Sequence, residues 1–430
     1  MVQFISDGMS IPSAQNRYLK RREWLMKQCN GPIVLSAPKY GPNQLYPWAH
    51  CDVPVYQDSY ILYLTGINQL PLHLVLDPQS NQQHIFIPDY NSKYVFWDGY
   101  RLAKNDVDSE SFLFDAGFTS IHSIKDFPNF INQLISKHPN WHFLIHEKGR
   151  KRVKDDSYRL FNSIRRKSKQ SFNFTNISQL SWEHRASHDS FSIDAFKEGI
   201  KKTAIAYHDL LYNCKSLKSE YELSGYLKGE LLKQSPFGLS FPPIVARNQN
   251  AAILHYTDCC DSFQVNDLVL LDFGIRWQSM CTDISRTISL SGKYSHIQKL
   301  LLDIVKSTQE HVISKIKAGI SFDDLNQYCW EFMESSLEKN FTTKGGRYKR
   351  EYNKQPHNVG HLLGIQTHDG DPFRSYRDQG LKENSIITVE PGLYGEFEFN
   401  GESIHCGIRI EDNILVTKTG AENLSIDIPK

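Results

Sequence analysis

The sequence has little excess charge and few features of a secreted or membrane protein. Its 49 Lys and Arg residues balance 48 Asp and Glu residues, and the formal net charge of +1 gives no general attraction to nucleic acid or to an anionic membrane. No apolar run approaches the ~18 residues of a membrane span. The first residues lack the basic and apolar regions of a signal peptide. We therefore expect no nucleic-acid partner, no membrane partner and a cytoplasmic location.

Cysteines are few and poorly placed for disulfides or zinc knuckles. The 8 cysteines are scattered, none forms a CxxC pair, and only Cys259 and Cys260 are adjacent. We expect reduced thiols, which are typical of a cytoplasmic protein. With 40% hydrophobic and 23% charged residues over 430 positions, the composition predicts an ordinary globular chain of two or three domains.

Four acids and one histidine stand in short motifs between positions 272 and 411. Each acid ends or interrupts an apolar run, where a carboxylate is costly unless it is paired or bound to a cation. Four carboxylates and one imidazole are too rich in oxygen for a structural zinc site and suit two divalent ions of the manganese type. The alternative is a set of acids that cap helices or pair with arginine. The five residues are Asp272, Asp283, His361, Glu390 and Glu411.

Local spacing predicts how these side chains are presented. Asp272 and Asp283 flank a polar stretch, so two antiparallel strands joined by a turn would present both carboxylates on one face. Arg409 and Glu411 alternate with isoleucines and therefore point to the same side of a strand. Glu390 precedes Pro391, and a strand should end there because proline donates no hydrogen bond.

Taken in this order and spacing, the motifs resemble those of the pita-bread metallopeptidases aminopeptidase P and prolidase over roughly residues 190–430. The resemblance implies an α/β (α+β) fold, with a smaller N-terminal mixed α/β domain (1–172) before a C-terminal pita-bread catalytic domain (185–430) of pseudo-twofold duplicated halves. It implies short peptide substrates with proline at position two and a homo-oligomer, either a dimer or a tetramer. The stretch 407–424 looks most like aminopeptidase P.

The resemblance also assigns roles to the residues. The five acidic and histidine positions would hold two divalent metal ions, Mn²⁺ with Co²⁺ or Zn²⁺ as alternatives, and Glu390 would also transfer a proton of the attacking water. His255 and His368 would stabilise the oxyanion and help to protonate the leaving nitrogen. His357 would line the pocket, and Arg409 would hold a carboxylate by bidentate hydrogen bonds. A polar core histidine or a strand salt bridge is the alternative for each.

Elements outside this set are predicted from local patterns. Short apolar runs predict strands at 32–36, 60–66 and 84–88, and a helix is compatible with 16–27. The basic stretch 148–169 predicts a solvated helix face rather than a nucleic-acid patch, and the polar stretch 168–190 predicts an interdomain connection. The motifs at 56–60 and 96–101 look similar to the N-terminal domain of the two peptidases, with core aromatics as the alternative.

Two helix pairs predict an internal duplication. An apolar stripe from Ile193 to Leu211 predicts one helix, and Ser219 with Glu222 predicts a capping box at the start of the next. A long helix around 297–317 is followed by Ser321 and Asp324, again in N-cap spacing. The recurrence agrees with the pseudo-twofold halves that the resemblance implies.

Three rival functions follow from the same resemblance. Prolidase is the nearest, because Arg374 or Arg377 could bind the carboxylate of a dipeptide. A non-catalytic pita-bread binding protein and a creatinase-type enzyme are both disfavoured by the complete ligand set. Departures from the family affect the rim and the specificity pockets: Asn358, Trp277, Met280 and the Gly-Asp-Pro at 370–372.

Overall fold

The computed structural model describes residues 11–37, 57–145, 147–148, 151–152, 156–167, 172–352, 355–370 and 377–430. Its contacts divide the chain into two compact units, Met1–His184 and Arg185–Lys430. Both units contain helices and strands. The domain bounds 1–172 and 185–430 stay a prediction.

The first unit is built on a six-stranded mixed sheet with the strand order β4-β3-β2-β1-β5-β8. Strand β2 is antiparallel to β1 and β3, whereas β5 is parallel to β1 and β8. The strands are β1 (Ile33–Ala37), β2 (Leu72–Asp77), β3 (Gln82–Ile87), β4 (Ser120–Ser123), β5 (Asn140–Phe143), the hairpin β6 (Glu147–Lys148) and β7 (Lys151–Arg152), and β8 (Asn173–Asn176). The strands predicted at 32–36 and 84–88 are confirmed. The helices are α1 (Ile11–Lys27), α2 (Ser59–Thr65), α3 (Ser92–Asp98), α4 (Val107–Asp115), α5 (Phe127–Ile135), α6 (Asp156–Lys167) and α7 (Ser178–Arg185).

The strand predicted at 60–66 is wrong, because these residues form helix α2. The side chain of Asp58 caps the helix by accepting hydrogen bonds from the backbone N–H groups of Tyr60 and Ile61. Gly66 ends it with φ of 69°, a left-handed conformation that glycine adopts without strain. All residues of α2 are buried, so no polar face reveals a helical period in the sequence.

Two further stretches of this unit differ in part from what their sequence patterns indicate. The boundary between the two units falls within the stretch predicted as an interdomain connection, 168–190, but its described part is not a plain loop, because it contains β8, which pairs with β5, and also α7; residues 168–171 lie outside the described residues. The alternative interpretation of the motif at 96–101, that its aromatic residues belong to the core, is wrong for Phe96 and Trp97, which are 81% and 71% exposed. Tyr56 of the companion motif lies outside the described residues. The basic stretch contributes α6, as predicted.

The second unit repeats one arrangement, a pair of long helices followed by antiparallel strands. The helices are α8 (Ser190–Asn213), α9 (Glu220–Gln234), α10 (His296–Ile313) and α11 (Phe322–Asn340). The strands are β9 (Ile244–Arg247), β10 (Leu268–Phe273), β11 (Arg276–Trp277), β12 (Met280–Cys281), β13 (Ile284–Ser289), β14 (Arg347–Arg350), β15 (Ile386–Val389), β16 (Gly392–Phe399), β17 (Glu402–Arg409), β18 (Asp412–Val416) and β19 (Ala421–Asn423). They form the sheets β13-β10-β9, β14-β16-β17 and β15-β18-β19. None of the helices in the described ranges has the length and apolar character needed to cross a bilayer.

Serine caps begin the second helix of each pair, although their details differ. Ser321 and Asp324 form the predicted reciprocal capping box of α11. At α9 the side chain of Ser219 accepts from the N–H of Glu222, but the Glu222 carboxylate accepts from the N–H of Lys218 instead of closing the box. Ser219 also forms a β-bridge with Ser262.

The core of the first half lies between helices α8 and α9 and the sheet β13-β10-β9. Tyr207 of α8 stacks on Phe273 of β10 with ring centroids 5.3 Å apart. Leu271 belongs to the same buried cluster, and burying a side chain of this size stabilises the fold by roughly 1.5–3 kcal/mol. Because strand residues alternate between faces, Asp272 points away from this core.

Candidate metal centre and active site

The predicted site residues line one cavity of the second unit, with a volume of ≈ 370 Å³. The cavity wall also contains apolar residues, among them Phe241, Ile244 and Leu254. The predicted residues in the lining are His255, Asp272, Asp283, His357, His361, His368, Glu390, Arg409 and Glu411. The structure therefore brings all of them together. Their individual roles stay predictions.

Asp272 and Asp283 are brought together by antiparallel strands, as their spacing predicts. Strand β10 pairs with β13 so that Asp272 lies opposite Ser285. The intervening stretch forms the hairpin of β11 and β12, and Asp283 immediately precedes β13. The backbone of Asp283 is held from the other half of the unit, because its N–H donates to the side-chain oxygen of Asn413 at 3.2 Å.

His361 and Glu390 are positioned by a short ladder between their segments. The N–H of Thr388 donates to the carbonyl of His361 at 2.9 Å, and the N–H of Glu390 donates to the carbonyl of Val359 at 2.8 Å. A Cβ atom at Gly360 would lie 2.0 Å from the carbonyl oxygen of Thr388, so only glycine allows this approach. Glu390 falls between β15 and β16, which confirms that the strand ends before Pro391.

Arg409 holds one of the predicted ligands, but not by the bidentate contact predicted from the sequence. Its Nη2 donates to Asp272 Oδ2 at 2.6 Å, its Nε donates to Ser285 Oγ at 2.9 Å and its Nη1 donates to the hydroxyl of Tyr394 at 3.3 Å. The guanidinium therefore donates one hydrogen bond to each of three partners, because these partners lie on different strands. Ser285 Oγ in turn donates to Glu411 Oε2 at 2.7 Å.

Three ligand-type atoms, one each from Asp283, His361 and Glu411, lie within 4.8 Å of one another, and all three residues are buried. Asp283 Oδ2 lies 3.5 Å from His361 Nε2, which lies 3.7 Å from Glu390 Oε1. Burial, followed by the charges of Asp272 and Glu390, holds the pKa of Asp283 well above its usual range. Burial and the neighbouring carboxylates, Asp283 first, likewise raise the pKa of Glu411.

These residues fit divalent metal ions. Asp272 Oδ1 is buried and accepts no hydrogen bond within the described part of the chain, which leaves it available as a ligand. The Nδ1 atom of His361 lies 3.2 Å from the carbonyl oxygen of Leu362. A proton on Nδ1 would leave the lone pair of Nε2 directed at Asp283 and Glu390, a common arrangement of metal-binding histidines. The clustered carboxylates supply the negative charge that a cation would neutralise.

His357 belongs to a hydrogen-bonded group with Tyr394, a residue that the sequence did not suggest. His357 Nε2 lies 3.0 Å from the Tyr394 hydroxyl, and its Nδ1 lies 3.8 Å from Glu390 Oε2. Burial is the main cause that lowers the pKa of His357, against the opposing charge of Glu390. Alternation along the strands could have suggested Ser285, two residues from Asp283, and Tyr394, four residues from Glu390.

The two histidines predicted to stabilise the oxyanion lie at the cavity wall with exposed side chains. His368 stacks on His361 with ring centroids 3.9 Å apart and an interplanar angle of 12°. The residue after it, Asp369, forms a buried ion pair with Arg185 at 2.6 Å. His255 lies on the opposite loop, between β9 and β10, and lines the same cavity.

The positions that depart from the family pattern have different surroundings. Asn358 lines the cavity, whereas Trp277 and Met280 are absent from the lining formed by the described residues. Trp277 lies beneath Lys202, whose Nζ is 4.4 Å from the ring centroid. Arg374 lies outside the described residues. Arg377 is described and also absent from the lining, and its carbonyl accepts from the N–H of Asp323 at 3.1 Å.

Comparisons with known proteins agree with this arrangement. The family model described as Metallopeptidase family M24 matches residues 194–418, and that of the Aminopeptidase P N-terminal domain matches residues 18–143. The Arabidopsis thaliana protein named Intermediate cleaving peptidase 55, mitochondrial, is 26% identical over 99% of this chain and 83% of its own length. Xaa-Pro aminopeptidase of Escherichia coli is 26% identical over 97% of this chain and 96% of its own.

A solved structure of aminopeptidase P from E. coli with the inhibitor Pro-Leu has a TM-score of 0.80 and 24% identity, covering 97% of this chain and 96% of that chain. This likeness and the two family models confirm the predicted architecture, an N-terminal α/β domain followed by a pita-bread catalytic domain. They also confirm the predicted class, a metal-dependent peptidase. The chain thus belongs to metallopeptidase family M24, as an aminopeptidase P-like enzyme.

Proposed function

We propose that the enzyme removes the N-terminal residue from peptides that have proline at position two. The observation that carries the proposal is the convergence of the buried Asp283, His361 and Glu411 in a chain that matches E. coli Xaa-Pro aminopeptidase over nearly the full length of both. The E. coli structure with the inhibitor Pro-Leu supports a prolyl peptide as the substrate class.

Two divalent ions, Mn²⁺ with Co²⁺ or Zn²⁺ as alternatives, are the proposed cofactors. Five residues would hold them: Asp272, Asp283, His361, Glu390 and Glu411. When bound, such ions polarise a carbonyl and supply hydroxide near neutral pH. Carboxylate-rich ligands favour Mn²⁺ over the softer metals.

The chain's own side chains account for the remaining steps. Glu390 is proposed to take the proton of the attacking water, because its Oε1 faces the cluster while its Oε2 faces His357. His255 and His368, which are exposed to the cavity, are proposed to donate to the oxyanion and to protonate the departing prolyl nitrogen. Arg409 keeps Asp272 oriented through its 2.6 Å contact.

Prolidase activity is the competing specificity within this site. A dipeptidase needs a cation for the carboxylate that follows proline. Arg377 does not line the cavity formed by the described residues, which favours an open site and longer peptides. The proline requirement also needs its own test, since the name of the Arabidopsis relative refers to the cleavage of intermediates and not to proline.

A cytoplasmic location and a homo-oligomeric state complete the proposal. The seven cysteines that the structure describes, from Cys29 to Cys406, are all free thiols, which suits a reducing compartment. The mitochondrial relative makes the compartment an experimental question. Fractionation of the native protein and light scattering of the purified one would answer these two points.

The decisive experiment compares peptides of matched sequence. Metal-free enzyme is assayed on Xaa-Pro, Xaa-Pro-Yaa and Xaa-Ala-Yaa, with and without Mn²⁺, and on a longer peptide that begins Arg-Pro-Pro. We expect Mn²⁺-dependent release of the first residue from the tripeptide with proline and from the long peptide. Asp283→Asn is the control for metal dependence. Cleavage restricted to Xaa-Pro dipeptides would establish prolidase instead, and equal cleavage of the alanine peptide would refute proline selectivity.

A further inference from the structure

A buried carboxylate outside the cavity ties together the loop that carries His255. Glu220, the first residue of α9, has a relative exposure of 0%. Its Oε1 accepts from the N–H of Arg247 at 2.8 Å and from Asn250 Nδ2 at 3.0 Å. Its Oε2 accepts from the hydroxyl of Tyr256 at 2.8 Å and from the N–H of Asp261 at 3.0 Å. Four donors therefore satisfy both oxygens of this buried carboxylate.

These partners come from both ends of one loop. Arg247 ends β9, whereas Asp261 lies well past His255 on the way to β10. The backbone of α9 reinforces the closure, since the N–H of Glu220 donates to the carbonyl of Asp261 at 2.9 Å. Glu220 therefore fixes the span of the loop, and Tyr256 fixes its middle.

The position of His255 depends on this backbone. Within the part of the chain that the structure describes, its imidazole makes no hydrogen bond, and it is exposed to the cavity. The next residue, Tyr256, is buried and belongs to a cluster with Ile244, Ala251 and Leu270. Tyr256 therefore lies in the core while the adjacent His255 lies at the cavity. Because the two residues share a backbone, the position of the Tyr256 ring affects the position of the His255 ring.

The opposite side of the loop is also held closely. A Cβ atom at Gly407 would lie 1.9 Å from the carbonyl oxygen of Ala251, so β17 approaches the loop as near as backbone allows. The hydroxyl of Tyr352 donates to the carbonyl of Ala252 at 3.0 Å. The loop is thus fixed on one side by the strand and on the other by the Glu220 carboxylate.

We infer that Glu220, acting through the hydroxyl of Tyr256, is a positioning residue that sets the place of His255 at the cavity. The inference rests on the proposed function, in which His255 donates to the oxyanion. It assigns a role in catalysis to a carboxylate that touches neither the cavity nor the candidate metal ligands. The physical reason is that a displacement of about 1 Å at a reacting group can cost 100-fold in rate.

The test uses Tyr256→Phe, which removes one hydroxyl and keeps the ring in its cluster. Tyr226→Phe is the matched control, because Tyr226 of α9 also donates to a carboxylate, Asp209, at 2.5 Å, but lies outside the cavity lining of the described residues. We expect Tyr256→Phe to lower kcat on an Xaa-Pro-Yaa peptide by roughly 10- to 100-fold with KM unchanged. Tyr226→Phe should leave both constants at their wild-type values.

A double-variant comparison separates positioning from general stability. In a His255→Ala background, Tyr256→Phe should cause no further loss of kcat, because residues that act as a unit are not additive. Losses that multiply would overturn the inference. Glu220 itself is left unchanged, because Glu220→Gln would turn an NH2 group towards two of its four donors and Glu220→Ala would leave all four unpaired.

Hydrogen exchange supplies a readout that needs neither metal nor substrate. Amides of residues 249–257 should exchange faster in Tyr256→Phe than in wild type and remain unchanged in Tyr226→Phe. Unchanged exchange in Tyr256→Phe would refute the inference, whatever the activity. A wild-type enzyme that cleaves no prolyl peptide would refute the proposed function alone, so the two failures can be told apart.

Discussion

Replacing Glu411 with glutamine should change the stability of the enzyme in opposite directions without and with metal. Glu411 is 2% exposed, and its pKa is raised, first by burial and then by Asp283, Glu390 and Asp272. A raised pKa in the folded state means that ionisation of Glu411 destabilises the metal-free fold at neutral pH. Glutamine keeps an acceptor for Ser285 Oγ but removes the charge, so metal-free Glu411→Gln should unfold at a higher temperature than metal-free wild type.

With Mn²⁺ the order should reverse, because glutamine is a poorer ligand. Metal at about 100 times its Kd stabilises wild type by about 2.7 kcal/mol, whereas a 100-fold weaker affinity leaves about 0.4 kcal/mol at the same concentration. The second unit spans 246 residues, from 185 to 430 (430 − 184 = 246). Since 1 kcal/mol shifts the Tm of a domain of this size by about 2–4 °C, the expected increments are about 5–11 °C for wild type and about 1–2 °C for the variant.

The assay is thermal unfolding of chelator-treated protein over a Mn²⁺ titration. Glu422→Gln is the matched control, because Glu422 is an exposed residue that forms an ion pair with Lys197 at 2.9 Å and does not line the cavity of the described residues. It should show the wild-type increment. Equal Mn²⁺ increments in wild type and Glu411→Gln would refute the assignment of Glu411 as a ligand. A lower Tm for the metal-free variant would refute the electrostatic reasoning.

Three further outcomes are expected. Glu390→Gln should abolish turnover at saturating Mn²⁺ because it removes the proposed proton acceptor, whereas Glu411→Gln should recover activity as Mn²⁺ rises; equal, modest losses in both would contradict this division. His368→Ala should lower kcat by roughly 10²–10³-fold, the effect of losing one oxyanion donor, and a near wild-type rate in steady-state assays would return it to a structural role. Tyr394→Phe should lower the free energy of unfolding by about 1–3 kcal/mol, since it removes one hydrogen-bond partner of the buried Arg409 and of the half-buried His357; urea denaturation would measure this, and an unchanged midpoint would contradict it.

The candidate site residues were more predictable from the sequence than the residues that hold them in place. Each acidic candidate ligand ends or interrupts an apolar run of the sequence, which is physically costly and therefore informative. Ser285 and Tyr394 follow the same alternation of strand faces, but serine and tyrosine are common in strands and do not mark a site by themselves. Glu220 could be predicted only as a helix-start residue, because its partners at 247–261 are distant in sequence and meet it only in the folded chain.

The fold was predictable where one face of an element is polar. The stripe along α8 and the serine cap of α11 are local signals, and both gave the correct helices. Helix α2 gave no such signal, since it is buried on every side. Its apolar residues alone could not distinguish a helix from a strand, whereas the caps at Asp58 and Gly66 indicate a helix. The edge strand β8 was missed because polar residues at an exposed sheet edge resemble a loop.

The two backbone approaches at Gly360 and Gly407 have a consequence for how this enzyme can vary. A methyl group at either position would overlap a carbonyl oxygen, at 2.0 Å and 1.9 Å respectively. One overlap would displace the segment that holds His361, and the other the loop that holds His255. Saturation mutagenesis should therefore find both positions as intolerant as the candidate metal ligands. Substitutions elsewhere can reshape the cavity wall. Replacing either glycine would instead disturb the alignment of the two halves of the second unit.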